Sequence, residues 1–155
     1  MVAQAAGHTF FIDAGDWAAE GSLCLPNQSQ QKVSGRILVS WTSDDWFTMA
    51  AKFIFPDQLE PQSPLTLQYR GKLAYGESHY TLVLQHSQWG RVEGVGWVGE
   101  KSITKRFWVL GDPAKRGGTE TYWQLNPNQY AMTIVYTAGT KNLSLMEATL
   151  TRRTP

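Results

Sequence analysis

The residue whose surroundings most invite a binding role is Arg106. It lies within the run Ser102–Leu110, where a spacing of two puts it on one face with Ser102, Thr104, Trp108 and Leu110. Lys101 and Lys105 take the opposite, wetter face. A guanidinium enclosed away from water must be paired. A ligand carboxylate gripped through two hydrogen bonds would do this, and so would Glu120 or Glu20 of the same chain. Tyr122 and Tyr136 stand on neighbouring runs from which a hydroxyl could donate a second hydrogen bond. Trp41, Phe53, Tyr69, Tyr80, Trp108, Tyr130 and Tyr136 supply an aromatic lining suited to a small, largely apolar molecule with one polar end. If such a molecule were also turned over, an acid or base would be needed beside it, and Glu93 or Glu20 are the candidates.

Other chemistry finds little support. The chain has no Gly-x-Ser-x-Gly, phosphate loop, His-Glu-x-x-His or paired-cysteine spacing. Gly94-Val95-Gly96-Trp97-Val98-Gly99 carries the glycine spacing of a dinucleotide loop, but no helix follows it, so that role fails. His79 and His86 are seven apart on one strand and face opposite sides, so they cannot share a metal. His86 falls on the apolar face, where it is a satisfied buried histidine or a ligand contact. No cofactor and no metal site are expected.

The elements that must position these residues are β-strands. From Asp16 to Leu25, Trp17, Ala19, Gly21, Leu23 and Leu25 alternate with Ala18, Glu20, Ser22 and Cys24. Similar alternation marks runs near 32–42, 46–55, 65–70, 79–86, 89–98, 102–110, 119–125, 130–138 and 142–152. Turn residues punctuate them: 26–31, Ser43-Asp44-Asp45, the proline-rich stretch 56–64, Tyr75-Gly76-Glu77, the loop 111–118, Asn126-Pro127-Asn128 and 138–141. Residues 8–14 (His8 to Ala14) read as a short helix or turn capping one end. Gly90, Gly94 and Gly96 share one strand face, which asks for cavity space or for a sharply coiled corner. Strands in series joined by short turns meander, and a meander this long closes to remove its edges. The expected fold is all-β, an up-and-down antiparallel barrel of about eight to ten strands with little helix.

Composition fits one domain over residues 1–155, with 1–14 as its cap segment. Fourteen Lys+Arg against thirteen Asp+Glu leave a net charge of +1, so neither nucleic acid nor an acidic surface is an expected partner. No apolar run approaches a membrane span, and Met1 to Ala6 shows no signal-peptide pattern. A single cysteine, Cys24, allows no internal disulfide and points to a reducing, cytoplasmic setting. Seven tryptophans suit a tight β core or a ligand cavity.

Gly15-Asp16-Trp17 at the mouth of the first strand resembles the Gly-x-Trp signature of the calycin superfamily, which holds the lipocalins and fatty-acid-binding proteins. Arg152 or Arg153 on the last strand is similar to the arginine that lipocalins lay over that tryptophan. The likeness spans nearly the whole chain in strand count and order, and a few residues in motif. It implies a barrel closed at one end by Trp17 and Arg152. It also implies a carboxylate site of arginine and tyrosine, here Arg106 with Tyr122 or Tyr136. Haem-binding barrels of the superfamily use a histidine near the C-terminal strands, and none follows His86, so haem is not implied. One cysteine, no leader and no helical insert after the first strand point to an intracellular, bacterial branch. The expected function is binding of a small hydrophobic or amphiphilic molecule, fatty-acid-like or a chromophore, with a homodimer left open. Two alternatives stand beside it. One is an enzyme acting on a bound chromophore or lipid, like the lyases that attach bilins to phycobiliproteins. The other is a filled barrel that only meets protein partners.

Overall fold

The computed structural model describes residues 10–57, 63–74 and 76–153. His8 and Thr9 of the cap, positions 58–62 of the proline-rich loop, and Tyr75 lie outside the described residues. Each period-two run forms a strand: β1 (Gly15–Cys24), β2 (Gln31–Trp41), β3 (Trp46–Ile54), β4 (Leu65–Lys72), β5 (His79–His86), β6 (Gly90–Val98), β7 (Ser102–Trp108), β8 (Arg116–Asn126), β9 (Gln129–Ala138) and β10 (Lys141–Arg152). All neighbours pair antiparallel in chain order, and β10 returns to pair with β1, Trp17 opposite Arg152. The sheet is a closed barrel with no free edge. No helix among the described residues is long and apolar enough to cross a membrane.

Alternation fixes which side chains fill the interior. Along β5, Tyr80, Leu82, Leu84 and His86 are buried while the residues between them are exposed. The expected inner face of β1, led by Trp17 and Ala19, also holds. On β7 the faces are the reverse of the sequence reading. Ile103, Lys105 and Phe107 point inward; Arg106 and Trp108 are exposed on the outer wall. Trp108 and Leu110, expected on the inner face with Arg106, both lie outside, as do Trp97 and Trp123. β8 also begins earlier than expected. Gly117 and Gly118 are not loop residues but pair with Trp108 and Phe107.

Gly90 turns the chain with a positive φ of 74°, while Gly94 and Gly96 serve close packing. A side chain at Gly96 would collide with the Tyr80 ring, and one at Gly94 would meet Phe107. Their missing Cβ atoms admit the aromatic side chains of the adjacent strands, which fill the barrel centre.

Residues 10–13 form a turn at one mouth of the barrel. Phe10 and Phe11 are fully buried there. Phe10 stacks on Tyr122 and Phe11 on Tyr80, with ring centres 4.7 and 5.1 Å apart. The Phe10 N–H donates to Tyr130 Oη (2.9 Å), and Trp41 Nε1 donates to the Phe11 carbonyl (3.1 Å). Beside this turn, Trp17 is fully buried and the Arg152 guanidinium lies 4.4 Å from its ring centre. Gly15 makes the arrangement fit: a Cβ there would stand 2.9 Å from both Arg152 Nη1 and Trp17 Nε1. Arg153 instead approaches Asp16 (4.0 Å), whose carboxylate already accepts two hydrogen bonds from Arg36 (3.0 and 2.7 Å). The three-residue signature thus has a physical content. Glycine makes room, tryptophan plugs, and the intervening aspartate ties β1 to β2 from outside.

Candidate functional site

The interior has two parts. The first is a buried polar group at mid-barrel, which sequence reasoning missed. Lys105 on β7 and Glu120 on β8 are direct cross-strand partners, both fully buried, with Nζ 3.6 Å from Oε1. Tyr69 and Tyr122 each donate a short hydrogen bond to the Glu120 carboxylate. The Lys105 ammonium also lies 3.5 Å from Met49 Sδ and 4.1 Å from the Tyr69 ring centre. Burial pulls this lysine down to about 8, while Glu120 acts to raise it. Burial first, then the charge of Glu120, pushes the Tyr69 and Tyr122 phenols well above their ordinary range, so both remain donors. Each oxygen of Glu120 and the charge of Lys105 thus has a partner within the chain. The available signal was a lysine between Ile103 and Phe107, opposite a glutamate at the same parity.

The second part is a cavity of about 210 Å³ at the end opposite the Trp17 plug. It is lined by Leu23, Leu25, Phe55, Leu65, Ile134 and Met146, with Gln31, Gln88, Ser144 and Tyr136 as its polar members. At its edge, the His86 ring stacks on Trp89 (4.6 Å, 11°), and Tyr136 lies 4.7 Å from Trp89. His86 Nε2 is 3.0 Å from Tyr136 Oη, and Nδ1 accepts the N–H groups of Gln88 (3.0 Å) and Trp89 (3.2 Å). Burial, then the nearby positive charge of Arg116, lowers His86 to about 4. Arg116 is itself held by Asp112, its Nε 2.7 Å from Oδ2.

Of the residues expected to bind ligand, Tyr136 lines this cavity, and His86 stands beside it as its hydrogen-bond partner. Tyr69 and Tyr122 face inward but spend their hydroxyls on Glu120. Trp41, Tyr80 and Tyr130 pack at the plugged end around Phe10 and Phe11. Phe53 is buried against Gly35, between β2 and β3. Arg106 and Trp108 line a shallow depression of about 440 Å³ on the outer wall, with Lys115 and Thr119. The expected interior place of Arg106 and Trp108 is therefore corrected, since both sit on the solvent parity of β7. Of the acids considered for turnover, Glu20 is exposed and accepts from Ser34 (2.9 Å), and Glu93 points outward, near Arg91 (3.3 Å).

The closed ten-stranded meander, plugged by a tryptophan under an arginine, is a calycin-type, lipocalin-like barrel. No family model matches the chain, and no curated protein matches it. Solved structures do. Rv2717c from M. tuberculosis is 14% identical with a TM-score of 0.67, over 90% of this chain and 92% of that one. The S-type phycobiliprotein lyase CPES from Guillardia theta is 13% identical with a TM-score of 0.60, over 92% and 89% of the two chains. At these identities the likeness is one of fold.

Proposed function

We propose that the protein binds a small hydrophobic or amphiphilic molecule in the open-end cavity, as an intracellular carrier or sensor. The observation that carries this reading is the cavity itself: about 210 Å³, walled by aliphatic and aromatic side chains, with a few polar groups gathered on one side. An apolar cavity of about 150 Å³ accepts a molecule the size of benzene. The space here suits one ring with a short substituent, or the end of a longer molecule whose remainder lies outside the mouth. A long acyl chain or a whole tetrapyrrole exceeds it. Among the described residues, aromatic rings and the Lys105–Glu120 group fill the plugged half. The reading as an enzyme draws no support from Glu20 or Glu93, which lie on the outer wall, nor from Glu120, whose oxygens are already engaged.

The test is methyl NMR with toluene as probe. Saturable shifts should appear at Leu23, Ile134 and Met146, while Ile37 and Ile103 remain still. Ile134→Phe, which fills the cavity, should abolish them. Uniform, non-saturating shifts across the barrel would remove the reading.

A further inference from the structure

Resting on that reading, we infer that Tyr136 is an oriented hydrogen-bond donor to the ligand, and that the cavity selects an uncharged acceptor such as a ketone, aldehyde or amide over an anion. The argument begins at the turn after β5. His86 Nδ1 receives two backbone N–H groups, those of Gln88 and Trp89. A nitrogen that accepts cannot carry a proton, so the ring proton resides on Nε2. Stacking on Trp89 holds the ring plane in place.

Nε2 lies 3.0 Å from Tyr136 Oη, and an Nε2–H there donates to the oxygen. The tyrosine therefore acts as acceptor toward His86, and its own proton must be directed elsewhere. Among the described residues this hydroxyl has no other partner. Its ring is fixed by Trp89 and, edge-on, by Phe107 (6.0 Å), and Tyr136 forms part of the cavity wall. Tyr136 is part-buried, so the proton of this hydroxyl is left to the cavity, where a ligand oxygen satisfies it. Burial, followed by the charge of Glu120, raises the Tyr136 phenol, so it stays a donor.

The preference for a neutral ligand follows from the lining. Among the described residues, none of the ten that line the cavity is charged. His86 is neutral in the tautomer just described, and Arg116 is engaged by Asp112. An enclosed carboxylate would lose its hydration with no cation to replace it. This reverses the carboxylate site expected around Arg106.

Three probes of one shape separate the outcomes: acetophenone, ethylbenzene and benzoate, titrated at pH 7 by methyl NMR. Wild type should bind acetophenone more tightly than benzoate. Tyr136→Phe should weaken acetophenone about three- to tenfold and leave ethylbenzene unchanged or tighter. Equal weakening of both neutral probes overturns the donor role while leaving the cavity reading intact. Benzoate binding tighter than acetophenone overturns the charge preference. If none of the three binds wild type, the cavity reading itself fails. The tautomer has its own readout without ligand. Long-range ¹H–¹⁵N correlation should show His86 protonated at Nε2 in the free protein, and protonation at Nδ1 would overturn the inference.

Discussion

Glu120→Gln is the perturbation that best probes the barrel centre. The native carboxylate holds the Lys105 ammonium 3.6 Å away and receives both tyrosine hydroxyls, with no exposure to solvent. The variant keeps the volume and one acceptor but removes the charge. Breaking a buried pair on one side costs about 3–5 kcal/mol, because the remaining charge is stranded. Here the stranded ammonium keeps no anion, only neutral partners such as Met49 Sδ and the Tyr69, Tyr122 and Phe11 ring faces, so it releases its proton instead. That escape makes the penalty depend on pH. Native wild type carries the proton below about 8. In that range the variant must give it up on folding, which adds about 1.4 kcal/mol for each pH unit. Above about 8 both proteins fold with a neutral lysine, and the penalty becomes flat. Urea unfolding should therefore show the variant destabilised by roughly 3–5 kcal/mol at pH 7. The penalty should be larger at pH 6 than at pH 9 by about 2–3 kcal/mol. Adding Lys105→Met should remove the pH slope and recover part of the stability. A loss under about 1 kcal/mol at pH 7, or the same loss at pH 6 and pH 9, would refute the buried ion pair.

Two further outcomes follow from the same geometry. Trp17→Ala empties a fully buried indole site and removes the Arg152 contact, for a loss of about 3–5 kcal/mol from the cavity and about 0.5–2 from the cation; denaturant midpoints with an unchanged slope would check it, and a loss below about 1 kcal/mol would mean that Trp17 plugs nothing. His86, lowered to about 4, stays neutral in the folded state while the unfolded chain takes up its proton near the ordinary 6.5, so its contribution is complete above 6.5 and fades as pH falls toward 4. Thermal melts from pH 7 to 4.5 should show wild type losing more stability than His86→Gln, and parallel curves would contradict a buried neutral histidine.

The strand pattern was legible because most barrel strands obey one rule, apolar inside and polar outside. β5 states it without exception, and β1 and β3 follow it closely enough to locate the plug and the closing strand. The signature around Trp17 was readable for a related reason: glycine, tryptophan and the terminal arginine all act within one register pair, Trp17 opposite Arg152. β7 broke the rule on both faces at once. Its inner face carries a lysine, and its outer face carries an exposed tryptophan. Only the partner strand resolves such a conflict, because Glu120 makes Lys105 affordable inside. Pairing across strands is not written in the local alternation. The open-end cavity was hidden for a similar reason. Its lining comes from β1, β2, β4, β9, β10 and the adjoining loops, and of the expected residues Tyr136 alone is among the described lining, with His86 hydrogen-bonded to it.

A shift of one residue on β7 therefore inverts the chemistry of the interior. With a cation at 106 pointing inward, the barrel would hold an unpaired guanidinium and call for an anionic ligand. With the inward cation at 105, the charge is matched by Glu120 before any ligand arrives. Glu120 also acts on Tyr136, pushing its phenol further from ionisation. The polar core thus supplies the cavity with no positive charge and with a tyrosine held protonated. In the inferred tautomer, His86 then sets which way that tyrosine donates. Strand parity, buried pairing and the inferred His86 tautomer all favour the ligand proposed above: apolar in body, uncharged, and carrying one oxygen that accepts a hydrogen bond.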